Sequence, residues 1–109
     1  MSVSAAFTPM GDKATFDAAL TAPTPVQASS STLGGNQYRV INTGTVVVFL
    51  GVGTTAAAAN TAVASVATSI PLLPSTDEIL SFVPNAYFTG KVASGAGTAT
   101  IYITPGDGL

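Results

Sequence analysis

The stretch Asn36–Gly53, NQYRVINTGTVVVFLGVG, decides how the rest of this chain is read. Tyr38, Val40 and Ile41 make one β-rich arm, Asn42-Thr43-Gly44 a turn, and Thr45–Val52 a second arm. A short connection containing Gly between two β-rich runs predicts a hairpin. Gly44 is expected at positive φ, which it adopts without a Cβ clash. Val46–Leu50, VVVFL, is apolar at both parities and so predicts a central strand buried on both faces. The other strands should pack on this pair.

On the C-terminal side, Gly51 and Gly53 close the second arm, and Thr54–Ser69 follows, rich in Ala, Thr and Val. Alanine favours helix, but valine and threonine do not. The segment reads as a long loop with at most one helical turn near Ala56–Asn60. Its apolar residues either form a contact surface or pack over one end of the fold. Ile70–Leu73 reads as a short strand limited by Pro71. Glu78–Val83 reads as another, with Leu80 and Phe82 on one face and Ile79 on the other. Ala86–Ala93 sets Phe88 and Val92 against Tyr87, Thr89 and Lys91. Thr98–Thr104 alternates most cleanly: Ala99, Ile101 and Ile103 face in, while Thr98, Thr100, Tyr102 and Thr104 face out. Pro105-Gly106-Asp107-Gly108 is expected to end regular structure.

On the N-terminal side, Val26–Ser30 is a candidate first strand, and Pro25 at its start suits a sheet edge. Residues 1–24 read as an arm. Phe16, Ala19 and Leu20 have the spacing of one helical turn, stopped by Pro23 and Pro25. The arm either folds over its own body or reaches a neighbouring subunit. The class is therefore all-β: an antiparallel β-sandwich or jelly roll of about seven short strands, with an extended N-terminal arm. The expected division is an arm over 1–24 and a single β-sandwich domain over 25–109.

Charge is scarce. Of 109 residues, 7% are charged, against about 25% in an ordinary soluble domain. A body of 10.7 kDa exposes roughly 5,500 Å², and three basic and five acidic side chains must serve all of it. Such a surface is kept soluble by Thr and Ser hydroxyls or is hidden in an assembly. The net charge of −2 offers no basic patch for nucleic acid. The longest unbroken apolar run, Val46–Leu50, is far short of the roughly 20 residues of a spanning helix. MSVSAAFTPMGDK lacks the basic start and apolar centre of a secretory signal.

Little in the sequence carries chemistry. There is no histidine and no cysteine, which removes Ser-His-Asp and Cys-His nucleophiles, disulfides and thiolate or imidazole metal sites. Asp77 and Glu78 are adjacent; within a strand they face opposite ways and cannot converge on a substrate. Gly51-Val52-Gly53 lacks the lysine of a phosphate loop, and Pro105–Gly108 holds one carboxylate where calcium needs six to eight oxygens. No catalytic residue, cofactor or metal is expected, and the chain reads as a non-enzyme. Tyr38, Tyr87 and Tyr102 read as sheet-surface or interface aromatics. Arg39 and Lys91 either meet an acidic partner or pair locally with Asp77 or Glu78.

The run Arg39–Gly44, with Val48-Phe49 and Gly51, resembles small virion proteins of tailed bacteriophages. Pro74–Leu80 (PSTDEIL) and the ending Ile101–Gly108 (IYITPGDG) fit the same pattern. The resemblance spans residues 36–109. It implies a compact β-sandwich, self-association as a homo-oligomer such as a trimer, and attachment to a major capsid protein as a decoration or cement protein. The location it implies is the virion, after synthesis in the host cytoplasm. The alternative is a fibre or tail component, or a β-sandwich module that recognises a surface glycan. The candidate interface comprises Phe7, Phe16, Leu20, Tyr38, Arg39, Tyr87, Lys91 and Tyr102, with other virion proteins as partners and neither nucleic acid nor membrane among them.

Overall fold

The computed structural model describes residues 7–9, 13–28, 37–64, 68–83, 85–93 and 97–108. They form nine strands and one helix: β1 Phe7–Pro9, β2 Ala14–Ala18, β3 Val26–Gln27, β4 Gln37–Asn42, β5 Val48–Gly53, α1 Ala56–Val63, β6 Ile70–Leu72, β7 Thr76–Ser81, β8 Tyr87–Val92 and β9 Ala99–Gly108. The strands make two antiparallel sheets, an all-β sandwich as expected. In the first, β9 is flanked by β4 on one side and by β1 and β2 on the other, and β7 closes the far edge. The second runs β3-β8-β5-β6.

The clean alternation of β9 makes it the spine of the first sheet. Ala99, Ile101 and Ile103 are buried. The strand also continues to Gly108 rather than ending at Thr104. Pro105 is tolerated because β2 stops opposite Ile103 and β1 starts opposite Gly106. Its position thus falls where one flanking strand gives way to the next, and an absent amide hydrogen matters least at such a break.

The stretch 36–53 is not a hairpin. β4 pairs with β7 and β9, and β5 with β6 and β8. The turn between them is a corner that carries the chain from one sheet to the other. Asn42 holds it: this fully buried side chain donates from Nδ2 to the carbonyls of Val46 (3.0 Å) and Leu72 (3.2 Å) and accepts from the Gly44 amide (2.9 Å). Gly44 is not at positive φ. It is required for space, since a Cβ there would lie 2.4 Å from the Ala99 Cβ.

Two further readings are corrected. Residues 14–18 are a strand and not a helical turn: Ala14, Phe16 and Ala18 alternate, β2 pairs with β9, and Phe16 and Ala18 enter the core. The extended N-terminal segment therefore lies against its own sandwich over these residues. The segment after Gly53 holds a helix of eight residues instead of a loop. The Thr55 hydroxyl caps it by accepting from the Ala58 amide at 3.1 Å. The helix lies on the outer face of β5, where a Cβ on Gly51 would come 2.6 Å from the Ala59 carbonyl and one on Gly53 2.4 Å from the Ala59 amide. Gly51 and Gly53 are the bare floor on which the helix rests.

The inner faces interlock into one core. Val48, Leu50, Phe88, Val92, Ile101 and Ile103 are all buried, as their strand parities require. Tyr38 meets Phe88 edge to face, with ring centres 4.9 Å apart. Phe16 crosses to Gly90 of the opposite sheet, where a Cβ would lie 3.1 Å from its ring.

Candidate functional site

The expected interface residues do not gather in one place. Phe16 and Tyr38 are core residues and are removed from the surface set. Their burial follows from strand parity: each shares an inner face with Val40, Ile101 or Ile103. The Tyr38 hydroxyl donates to the Val83 carbonyl and accepts from the Ala86 amide at 3.1 Å. Burial raises its pKa above the ordinary tyrosine value, and the Ala86 hydrogen bond opposes that shift only in part. The backbone of Phe7 pairs with Gly108; its side chain lies outside the described residues.

The rest divide between two faces. On the outer face of the first sheet, Arg39 forms an exposed ion pair with Asp77 at 3.1 Å, and Tyr102 lies under the Lys13 ammonium at 5.3 Å. On the outer face of the second sheet, Leu20 and Lys91 come together with Phe49, Val63 and Ala93 around a cleft of about 350 Å³. Tyr87, half-buried, is on that sheet's edge-facing pair with Gln27. Asp17 accepts from the Thr100 hydroxyl at 2.7 Å. Among the described residues no group of three or more acidic side chains converges as a metal site, and no helix is long and apolar enough to cross a membrane.

A third surface went unnoticed in the sequence. β6 and β7 are the edge strands on the same side of the sandwich, one from each sheet, and they touch. Of the six large apolar residues exposed among those described, five lie in or directly after these strands: Ile70, Leu73, Ile79, Phe82 and Val83. Between the sheets here opens a cleft of about 290 Å³, lined by Val52, Ile70, Leu80, Phe82 and Phe88, with Thr68 and Ser81 as its polar members. The signal was present in ILSFV over 79–83: apolar residues at both parities of an edge strand cannot all be buried.

No protein-family model matches the chain, and no curated protein matches it by sequence. Its fold is similar to that in a crystal structure of PirA, with a TM-score of 0.50 at 15% identity over 85% of this chain and 92% of that one. This likeness is one of fold. A hydroxypropylphosphonic acid epoxidase from S. wedmorenis in complex with fosfomycin follows at a TM-score of 0.41 and 11% identity, over 85% of this chain and 42% of that one. A Bacillus endospore appendage protein, of a family of disulfide-linked pili, gives 0.39 at 18% identity over 97% and 95%. Neither of these two is close enough to carry a functional argument.

Proposed function

We propose that this chain is a non-catalytic structural protein of a virion, a capsid decoration protein that works as a homo-oligomer and attaches to a major capsid protein. The observation that carries the reading is the pair of separate apolar clefts on a body of 5602 Å² that has eight charged side chains. The clefts share no lining residue. One, around Leu20 and Lys91, suits contact between copies; the other, on the β6–β7 side, suits a different partner. Leaving five large apolar side chains in water on one side has no stabilising return in a monomer. The resemblance of 36–109 to small phage virion proteins supplies the capsid as the partner and a trimer as the arrangement to test first. A glycan-binding module would favour a groove of tyrosines and carboxylates, and neither cleft is lined by one.

Sedimentation of the isolated protein tests self-association, and mass spectrometry of native particles tests attachment through a fixed ratio to the capsid subunit. A protein that is monomeric at high concentration and absent from particles would overturn the proposal.

A further inference from the structure

Among the described residues, β7 is a six-residue edge strand hydrogen-bonded on one side only, by β4. Its register opposes Leu80 to Tyr38 and Glu78 to Val40. Tyr38 and Val40 are buried in the core, so Glu78 and Leu80 stand on the inward face. Leu80 lines the cleft between the sheets. Glu78 points inward yet is exposed, since no described strand lies along that edge. An inward-facing charge at an edge resists the addition of another strand, since the added strand would bury it unpaired. Asp77, on the outward face, is already engaged by Arg39. Among the described residues Glu78 has no ion-pair partner.

We propose that β7 is a docking edge for an extended segment of another protein, which adds a strand antiparallel to β7 and brings a basic residue to Glu78. The chemistry of the guest follows from the register. The guest residue opposite Leu80 points into the apolar cleft beside Ile70 and Phe82. The next lies against Ile79, which is 51% exposed on the outer face. The third meets Glu78. An antiparallel guest therefore reads apolar, apolar, then Lys or Arg, in its own N-to-C direction. Main-chain hydrogen bonds give the docking its strength, and the Glu78 pair sets its selectivity.

A second copy of this chain is a poor guest through the same edge. β7 carries two carboxylates and no cation, so pairing β7 with β7 brings like charges close across the strands, which is unfavourable. The inference rests on the reading that the β6–β7 side faces a partner, and not on that partner being a capsid.

The probe is a labelled peptide, Ser-Thr-Leu-Val-Lys-Thr-Thr-Ser, and its counterpart with Glu in place of Lys. Binding to the full chain is followed by fluorescence anisotropy and by amide shifts. The lysine peptide should bind about tenfold more tightly than the glutamate one, a difference of about 1.4 kcal/mol, with shifts centred on residues 76–82. Glu78→Lys, at an exposed position, should reverse the preference; Phe82→Ser should weaken both peptides. Equal binding of the two peptides, no binding at millimolar concentration, or shifts centred elsewhere would overturn the proposal. So would self-association through β7 that Glu78→Lys abolishes. Peptide binding without particle attachment would refute the capsid reading and leave this one standing.

Discussion

Replacing Asn42 by Ala should cost about 2–6 kcal/mol of folding stability. The side chain is fully buried and makes three hydrogen bonds at the corner between the sheets. The bonds to Val46 and Gly44 are partly exposed, so water replaces the lost partner and each contributes about 0.5–1.5 kcal/mol. The bond to the Leu72 carbonyl is buried, and leaving that acceptor unpaired costs about 1–3 kcal/mol. Against a total stability of about 5–15 kcal/mol for a domain of this size, the loss is large. Asn42→Asp supplies a second arm. It keeps an acceptor for Gly44 but turns a carboxylate toward two carbonyl oxygens. Burial and those carbonyls raise its folded pKa above the unfolded value of about 3.9. The native state then binds more protons, so its deficit relative to wild type should grow as pH rises from 4 to 7 and shrink on acidification. Urea unfolding at both pH values measures this. An Asn42→Ala variant within 1 kcal/mol (roughly the net worth of one hydrogen bond) of wild type, or an Asn42→Asp deficit that does not change with pH, would refute the role assigned to this corner.

Phe88→Ala should destabilise by about 3–5 kcal/mol in denaturant unfolding, since it removes a fully buried ring that packs on Tyr38. Gly53→Val should displace α1, because even a Cβ would lie 2.4 Å from backbone; circular dichroism and a loss of about 1–3 kcal/mol would register it. Tyr38→Phe should leave the buried Ala86 amide without its acceptor and cost about 1–3 kcal/mol. Because the Tyr38 pKa is raised in the fold, wild-type stability should fall as pH passes above about 10, and Tyr38→Phe should flatten that alkaline loss in a pH series of thermal melts. Deleting residues 2–24 should lower stability sharply, since it removes β2 with buried Phe16 and Ala18.

Most strands were legible because burial on one face forces a period of two, and residues 86–93 and 98–104 show it without competition. The corner was not legible. Asn-Thr-Gly reverses the chain equally well within a sheet or between sheets; the choice is made by β7 and β9, whose residues opposite β4 are distant in sequence, Ile79 across from Arg39 and Tyr102 across from Ile41. The helix was hidden because Ala, Thr and Val leave local propensity divided. Its marks were the two glycines spaced to bare one strand face and the capping Thr55. At the N-terminus, Phe16 belongs to two patterns at once: with Ala19 and Leu20 it reads as helix, with Ala14 and Ala18 as strand. Pairing with β9 decides for the strand. Of the candidate surface, Leu20, Arg39 and Lys91 were legible as polar or apolar residues without a core parity. The β6–β7 side was not, because exposure at an edge depends on where the sheets end.

β9 follows every other strand in the chain, yet β1, β2 and β4 all wait for it. During synthesis the second sheet can assemble from β3, β5, β6 and β8 as soon as residue 92 has left the ribosome. The first cannot. Until residues 99–108 emerge, β4 can pair with β7 and set Tyr38 against Phe88, but β1 and β2 have no strand to join and Phe16 lacks its neighbour Ile101. The nascent chain therefore carries a sandwich whose core is open where Ala99, Ile101 and Ile103 will sit, and a stall before residue 99 should leave a species that recruits chaperones.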